Sequence, residues 1–157
     1  MDIAVDYSKM NGQDALDIAV VIEDEAQLAY EHLAEWVAGD GNTEAAEFFK
    51  RMAVWEKRHK EAIAERRAKL FGDAPSNYDK NAIWHAEVPD YESLGKTVTM
   101  QEAFDVAMGA ETRAHDFYAE ALDYIDDPQI AELFDWLRKA EVEHQRMLRD
   151  EMDQFQD

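Results

Sequence analysis

The feature that most constrains the fold is a pattern written twice at the same phase: Glu47-Phe48-Phe49-x-x-Met52-x-x-x-Glu56-x-x-His59 and Glu132-Leu133-Phe134-x-x-Leu137-x-x-x-Glu141-x-x-His144. Each copy sets a Glu and a His three residues apart inside a helical apolar stripe, so both side chains fall on one face and can grip one ion. A single E-x-x-H arises by chance on any charged helix. Two of them in matched contexts require the stripes themselves to be related.

Upstream of each copy lies a second helix with its own repeat. Leu16, Ala19, Glu23, Ala26, Tyr30, Leu33 and Val37 recur at alternating steps of three and four, the seam spacing of a packed helix, and so do Phe104, Ala107, Glu111, Ala114, Tyr118, Ala121 and Ile125. In both, a Glu takes a core slot and a Tyr follows seven residues later on the same face. The chain reads as a tandem duplication of one helical hairpin, with halves at about 13–71 and 99–154.

Punctuation places the helices at about 13–38, 43–71, 99–126 and 128–154. Gly39-Asp40-Gly41-Asn42 breaks the first hairpin, with Asn42 or Thr43 as N-cap; Thr99 and Glu102 form a capping box; Asp127 and Pro128 serve as cap and first-turn Pro. Residues 72–98 hold two of the three Pro, a Gly at each end and several aromatics. This segment is too long for a turn but suits a crossover that returns along the bundle and makes helices two and three parallel. The expectation is an all-α single domain, a four-helix bundle of two hairpins joined by a long crossover.

Six ionisable groups then face inward, and an ion left buried without a partner costs on the order of several kcal/mol. Four carboxylates match the charge of two divalent cations. A dinuclear site ligated by Glu23, Glu56, His59, Glu111, Glu141 and His144 would use every group. Mixed carboxylate and imidazole ligation suits iron, with manganese as the alternative, and a chain without Cys offers no thiolate zinc site.

At these residues the chain resembles the ferritin-like di-iron carboxylate superfamily, and within it the rubrerythrin-like and bacterioferritin-like members: one Glu on each of helices one and three, and E-x-x-H on each of helices two and four. The resemblance implies Glu23 and Glu111 as terminal carboxylates, Glu56 and Glu141 as bridging carboxylates, and His59 and His144 as one imidazole per metal. It also implies Tyr30 and Tyr118 as phenols that hydrogen-bond to ligand carboxylates across the bundle; read from spacing alone, they are equally amphipathic core residues with a polar tip. Rubrerythrins carry a further Glu one turn beyond the helix-three ligand, where this chain has Ala114 beside His115, and they usually carry a Cys-ligated rubredoxin iron. The six-ligand set is thus closer to bacterioferritin and to di-iron oxygenases.

The implied activity is oxidation of Fe²⁺ with O₂ or hydrogen peroxide, for peroxide scavenging or iron handling, with an external electron donor and a homo-oligomer of at least two chains. The alternatives are an oxygenase acting on an organic substrate, an iron-storage or cargo subunit, and a metal-free bundle. The last leaves four buried carboxylates uncompensated.

A formal charge of −20 argues against a nucleic-acid or anionic-membrane surface, which needs concentrated Lys and Arg. The longest apolar run, 18–22, is far too short to span a bilayer, and the N-terminus has no basic segment followed by an apolar one, so a cytoplasmic location is expected. Among the other candidates, His115 reads as a partly exposed or core histidine rather than a seventh ligand, His32 falls on the outer face, and His85 with Trp84 reads as a packing anchor in the crossover. The remaining Met and Trp residues read as core or interface material.

Overall fold

The computed structural model describes residues 5–76 and 99–155. After a short 3₁₀ turn at Tyr7–Lys9, four long helices follow: α1 Gly12–Gly39, α2 Thr43–Phe71, α3 Met100–Ala121 and α4 Pro128–Asp153. No strand occurs among the described residues. The crossover expected at 72–98, with Trp84 and His85, falls almost entirely outside the described residues.

Each helix starts on a side-chain cap that satisfies otherwise unpaired backbone N–H groups. The Asn11 side chain accepts from the Asp14 N–H at 2.8 Å while the Asp14 carboxylate accepts from the Asn11 N–H. Thr99 and Glu102 repeat this reciprocal box at α3. Asn42 caps α2 and Asp127 caps α4, with Pro128 in the first turn. The tight α1–α2 connection depends on Gly41, whose φ of 83° lies in the left-handed region that side chains resist.

Spacing predicts the third helix to 126, but α3 stops at Ala121 and the chain continues as a 3₁₀ turn, Leu122–Tyr124. Asp123, Asp126 and Asp127 crowd this end with negative charge, which the helix dipole disfavours, and Pro128 steers the residue before it away from helical backbone. Ile125 still packs, partly buried, against the core.

Cross-helix contacts fix the directions. Tyr30 meets Glu111 and Tyr118 meets Glu23, so α1 and α3 are antiparallel; His59 meets Glu23 and Arg67 meets Asp17, so α1 and α2 are antiparallel. Helices α2 and α3 therefore run parallel, as the sequence led us to expect. Around the bundle the order is α1, α2, α4, α3, and the α2–α4 edge is the sparsest of the four.

The apolar residues form two separate layers. One gathers Leu16, Ile18, Ile63, Tyr118, Ile130, Phe134 and Leu137; the other gathers Leu33, Val37, Phe49, Met52, Phe104 and Leu148. Between them lies a polar stratum, so the apolar layers supply stability and the middle of the bundle is left to chemistry. Phe134 is fully buried in the first layer and Leu28 is an exposed α1 residue. Phe134→Ala is expected to cost about 3–5 kcal/mol, and Leu28→Ala no more than about 0.5 kcal/mol, in urea unfolding of the metal-free protein. Equal costs would contradict this assignment of the core.

Candidate metal centre

The polar stratum holds all six groups singled out in the sequence. Glu23, Glu56, Glu111 and Glu141 have no solvent exposure, and His59 and His144 are buried with them. The helical periodicity that buries Leu16 and Leu33 on either side of Glu23 turns that carboxylate inward; the same holds for Glu111 between Phe104 and Tyr118.

Glu56, His59, Glu141 and His144 each offer a ligand atom, all within 4.8 Å of one another. One oxygen of Glu56 lies 2.9 Å from His144 Nδ1 and the other 3.5 Å from His59 Nδ1. Glu141 does the same, at 3.5 Å from His59 and 3.9 Å from His144. These two carboxylates face both imidazoles, one oxygen each. Glu23 faces only His59, at 3.6 Å, and Glu111 only His144, at 3.4 Å. The arrangement has two-fold character, as the sequence duplication requires.

Buried polar atoms are normally hydrogen-bonded. Here one oxygen each of Glu23, Glu56 and Glu111, both oxygens of Glu141, His59 Nδ1 and His144 Nε2 have no hydrogen-bond partner. So many unpaired carboxylate oxygens in one buried stratum fit a group of positive charge, and the oxygen–nitrogen set suits iron or manganese.

The charges are tuned unequally. Burial pushes the Glu56 and Glu141 carboxyls well above the usual range, and the charge of Glu111 adds to it in both. Burial also opposes ionisation of Glu23 and Glu111, but contacts outweigh it: Glu56, His59 and Tyr118 hold Glu23 low, while Glu141 and His144 bring Glu111 to about 2.

Two phenols complete the shell. The Tyr30 hydroxyl donates to Glu111 and the Tyr118 hydroxyl donates to Glu23, each at 2.6 Å. Burial, then the carboxylate charge, pushes both phenols well above their ordinary value, so they remain protonated donors. These bonds separate the two alternatives left open for the tyrosines: their polar tips are engaged. His115 stands apart, partly exposed, with Nδ1 3.1 Å from Asp116. His32 is half-buried, its ring stacked on Trp36.

Sequence reasoning passed over two residues that touch the site. Trp55 meets the His144 ring edge-on at 5.6 Å, and Trp136 meets the His59 ring at 5.4 Å. Both contacts cross between α2 and α4, and spacing along one helix carries no signal for either.

An all-α bundle with a buried carboxylate–imidazole cluster between its helix pairs defines a ferritin-like protein. The chain belongs to the rubrerythrin family, whose profile matches residues 14–152. An uncharacterized conserved protein from Magnetospirillum magnetotacticum superimposes with a TM-score of 0.75 at 24% identity, over 90% of this chain and 93% of that one. A hypothetical protein from Pyrococcus furiosus gives 0.70 at 21% identity, over 95% and 94%. A Thermotoga maritima protein provisionally described as a ferritin-like diiron-carboxylate protein gives 0.71 at 23% identity, over 92% and 95%. No curated protein matches. No helix of the described residues is long and apolar enough to cross a membrane.

The unequal carboxyls give the metal-free protein a signed pH dependence. Folded Glu56 and Glu141 retain protons that the unfolded chain releases near 4.5, so stability falls as pH rises above that value. Glu23 and Glu111, with lowered values, contribute fully above 4.5 and lose that contribution only on acidification below it, outside this window. Urea unfolding of chelator-treated protein at rising pH above 4.5 is expected to show the decline. A stability that rises with pH would contradict it.

Proposed function

We propose that the six groups hold two iron ions and that the protein oxidises Fe²⁺ with O₂ or hydrogen peroxide, scavenging peroxide or handling iron. The observation that carries this reading is the division of roles among the carboxylates: two that face both imidazoles and two that face one each. In this reading Glu56 and Glu141 would serve both ions, Glu23 with His59 would complete one ion's ligands, and Glu111 with His144 the other's. Manganese would suit the same donors.

Two bound iron ions would supply the electrons for reducing O₂ or peroxide. The protein's own part is to exclude bulk water with the two apolar layers, to give up the protons on Glu56 and Glu141 when metal arrives, and to hold the terminal carboxylates in place. Tyr30 and Tyr118 do the last, each fixing the terminal carboxylate of the other half by one short hydrogen bond. The crowding of phenols and indoles around the cluster supports a small oxidant over an organic co-substrate. An external electron donor and a homo-oligomer of at least two chains belong to the same proposal.

Anaerobic Fe²⁺ titration followed by peroxide tests the reading: saturation is expected at two ions per chain, and peroxide should then convert them to the ferric state without an added organic substrate. Glu56→Ala should lose most of the metal, because that carboxylate serves both ions. Saturation at one ion per two chains, or full loading of the Glu56→Ala protein, would overturn the proposal. Tyr30→Phe and Tyr118→Phe should still bind iron but change the rate of its oxidation by about 10- to 100-fold, the usual scale for a group that orients a ligand. Unchanged rates in both would reduce the phenols to packing.

A further inference from the structure

The metal cluster is sealed at both ends by apolar layers, and its most sparsely packed seam is the α2–α4 edge. Across that edge the His59 and His144 rings stack on one another, 5.2 Å apart and within 8° of parallel. Trp136 and Trp55 lie over this imidazole pair, one against each ring, at interplanar angles of 73° and 75°. Both indoles are about half exposed, Trp55 at 44% and Trp136 at 52%, while the imidazoles beneath are buried. Among the described residues these are the exposed aromatic rings that touch a site imidazole. Tyr30 and Tyr118 adjoin the carboxylates but have no exposure.

Duplication does not explain the pair. With Glu56 and His59 matched to Glu141 and His144, the counterpart of Trp55 is Ala140 and the counterpart of Trp136 is Arg51. Two non-equivalent positions have supplied the same group to equivalent places. An exposed indole also departs from the ordinary preference for burying large aromatic area, and a pair of them on a chain of net charge −20 is not explained by solubility.

We propose that Trp55 and Trp136 are the electron-entry contacts of the site: each indole carries an electron from a reductant at the α2–α4 surface to the imidazole it touches, and so to the ion that imidazole would hold. The inference rests on the di-iron reading above. No bond forms or breaks in this step: two molecules of a one-electron donor each lose one electron, the diferric pair gains two and returns to diferrous, and the indoles end unchanged. The indoles are thus relay residues that act through His144 and His59.

Two measurements on the full chain test this. In the first, Co²⁺ is titrated into metal-free protein with Trp fluorescence as readout; the bulk of the quenching should disappear in Trp55→Leu/Trp136→Leu, because these two indoles lie against His144 and His59. Quenching undiminished in the double variant would overturn the contact. In the second, iron-loaded, peroxide-oxidised protein is mixed anaerobically with reduced methyl viologen, and decay of the viologen colour is followed by stopped flow. The double Leu variant keeps an apolar cover but lacks the π-systems. Its re-reduction should slow by about 10-fold or more, with iron content unchanged and partial rescue by Phe at both positions. Wild-type re-reduction rates in the Leu variant would overturn the relay and leave the di-iron reading intact. A protein whose iron peroxide never oxidises would instead overturn the di-iron reading and the relay with it.

Discussion

Four carboxylates concentrated in the middle of an otherwise apolar bundle are the constraint on which the rest depends. Bringing one ionised group out of water without compensation costs several kcal/mol, a large share of the 5–15 kcal/mol that holds a domain of this size together. The metal-free protein meets the cost by partial neutralisation: Glu56 and Glu141 are driven to keep their protons, while Glu23 and Glu111 stay ionised against the imidazoles and the phenols. Even so, seven oxygen and nitrogen atoms of the cluster remain without hydrogen-bond partners. A metal-free bundle selected for stability alone would bury Leu at such positions, since a well-packed apolar replacement of a buried ionic cluster is commonly neutral or stabilising.

The helices are organised around that constraint. Two apolar layers, one above and one below, carry the packing energy, so the polar stratum can be suboptimal without unfolding the chain. The tyrosines knit the halves together: each donates across the bundle to the other half's carboxylate, so neither hairpin completes its own share of the site. The sparse α2–α4 edge follows from the same economy, since stacked imidazoles with indoles over them occupy the seam where aliphatic side chains would otherwise interlock.

Much of this was legible in the sequence because it repeats. The matched E-x-x-H motifs, the Glu and Tyr seven residues apart, and the caps at Asn42, Thr99 and Asp127 are local signals with fixed periods, and the structure places them as those periods require. The end of α3 was misjudged because apolar spacing continues through Ile125 while the acidic run and Pro128 stop the helix earlier. The indoles were passed over for a different reason. Their significance lies in contact with a histidine on the facing helix, a relation that no single-helix period encodes. The division of the carboxylates into two that face both imidazoles and two that face one was implied by family resemblance, and becomes physical only with the distances.

The central claim is that one chain builds one two-metal site from these six side chains. Anomalous diffraction from crystals of the iron- or manganese-loaded protein tests it most directly. Two peaks a few ångström apart are expected inside every bundle, both within coordination distance of Glu56 and Glu141, one beside Glu23 and His59 and the other beside Glu111 and His144. A single peak, or metal held between chains or on the surface with the cluster left to its protons, would contradict it.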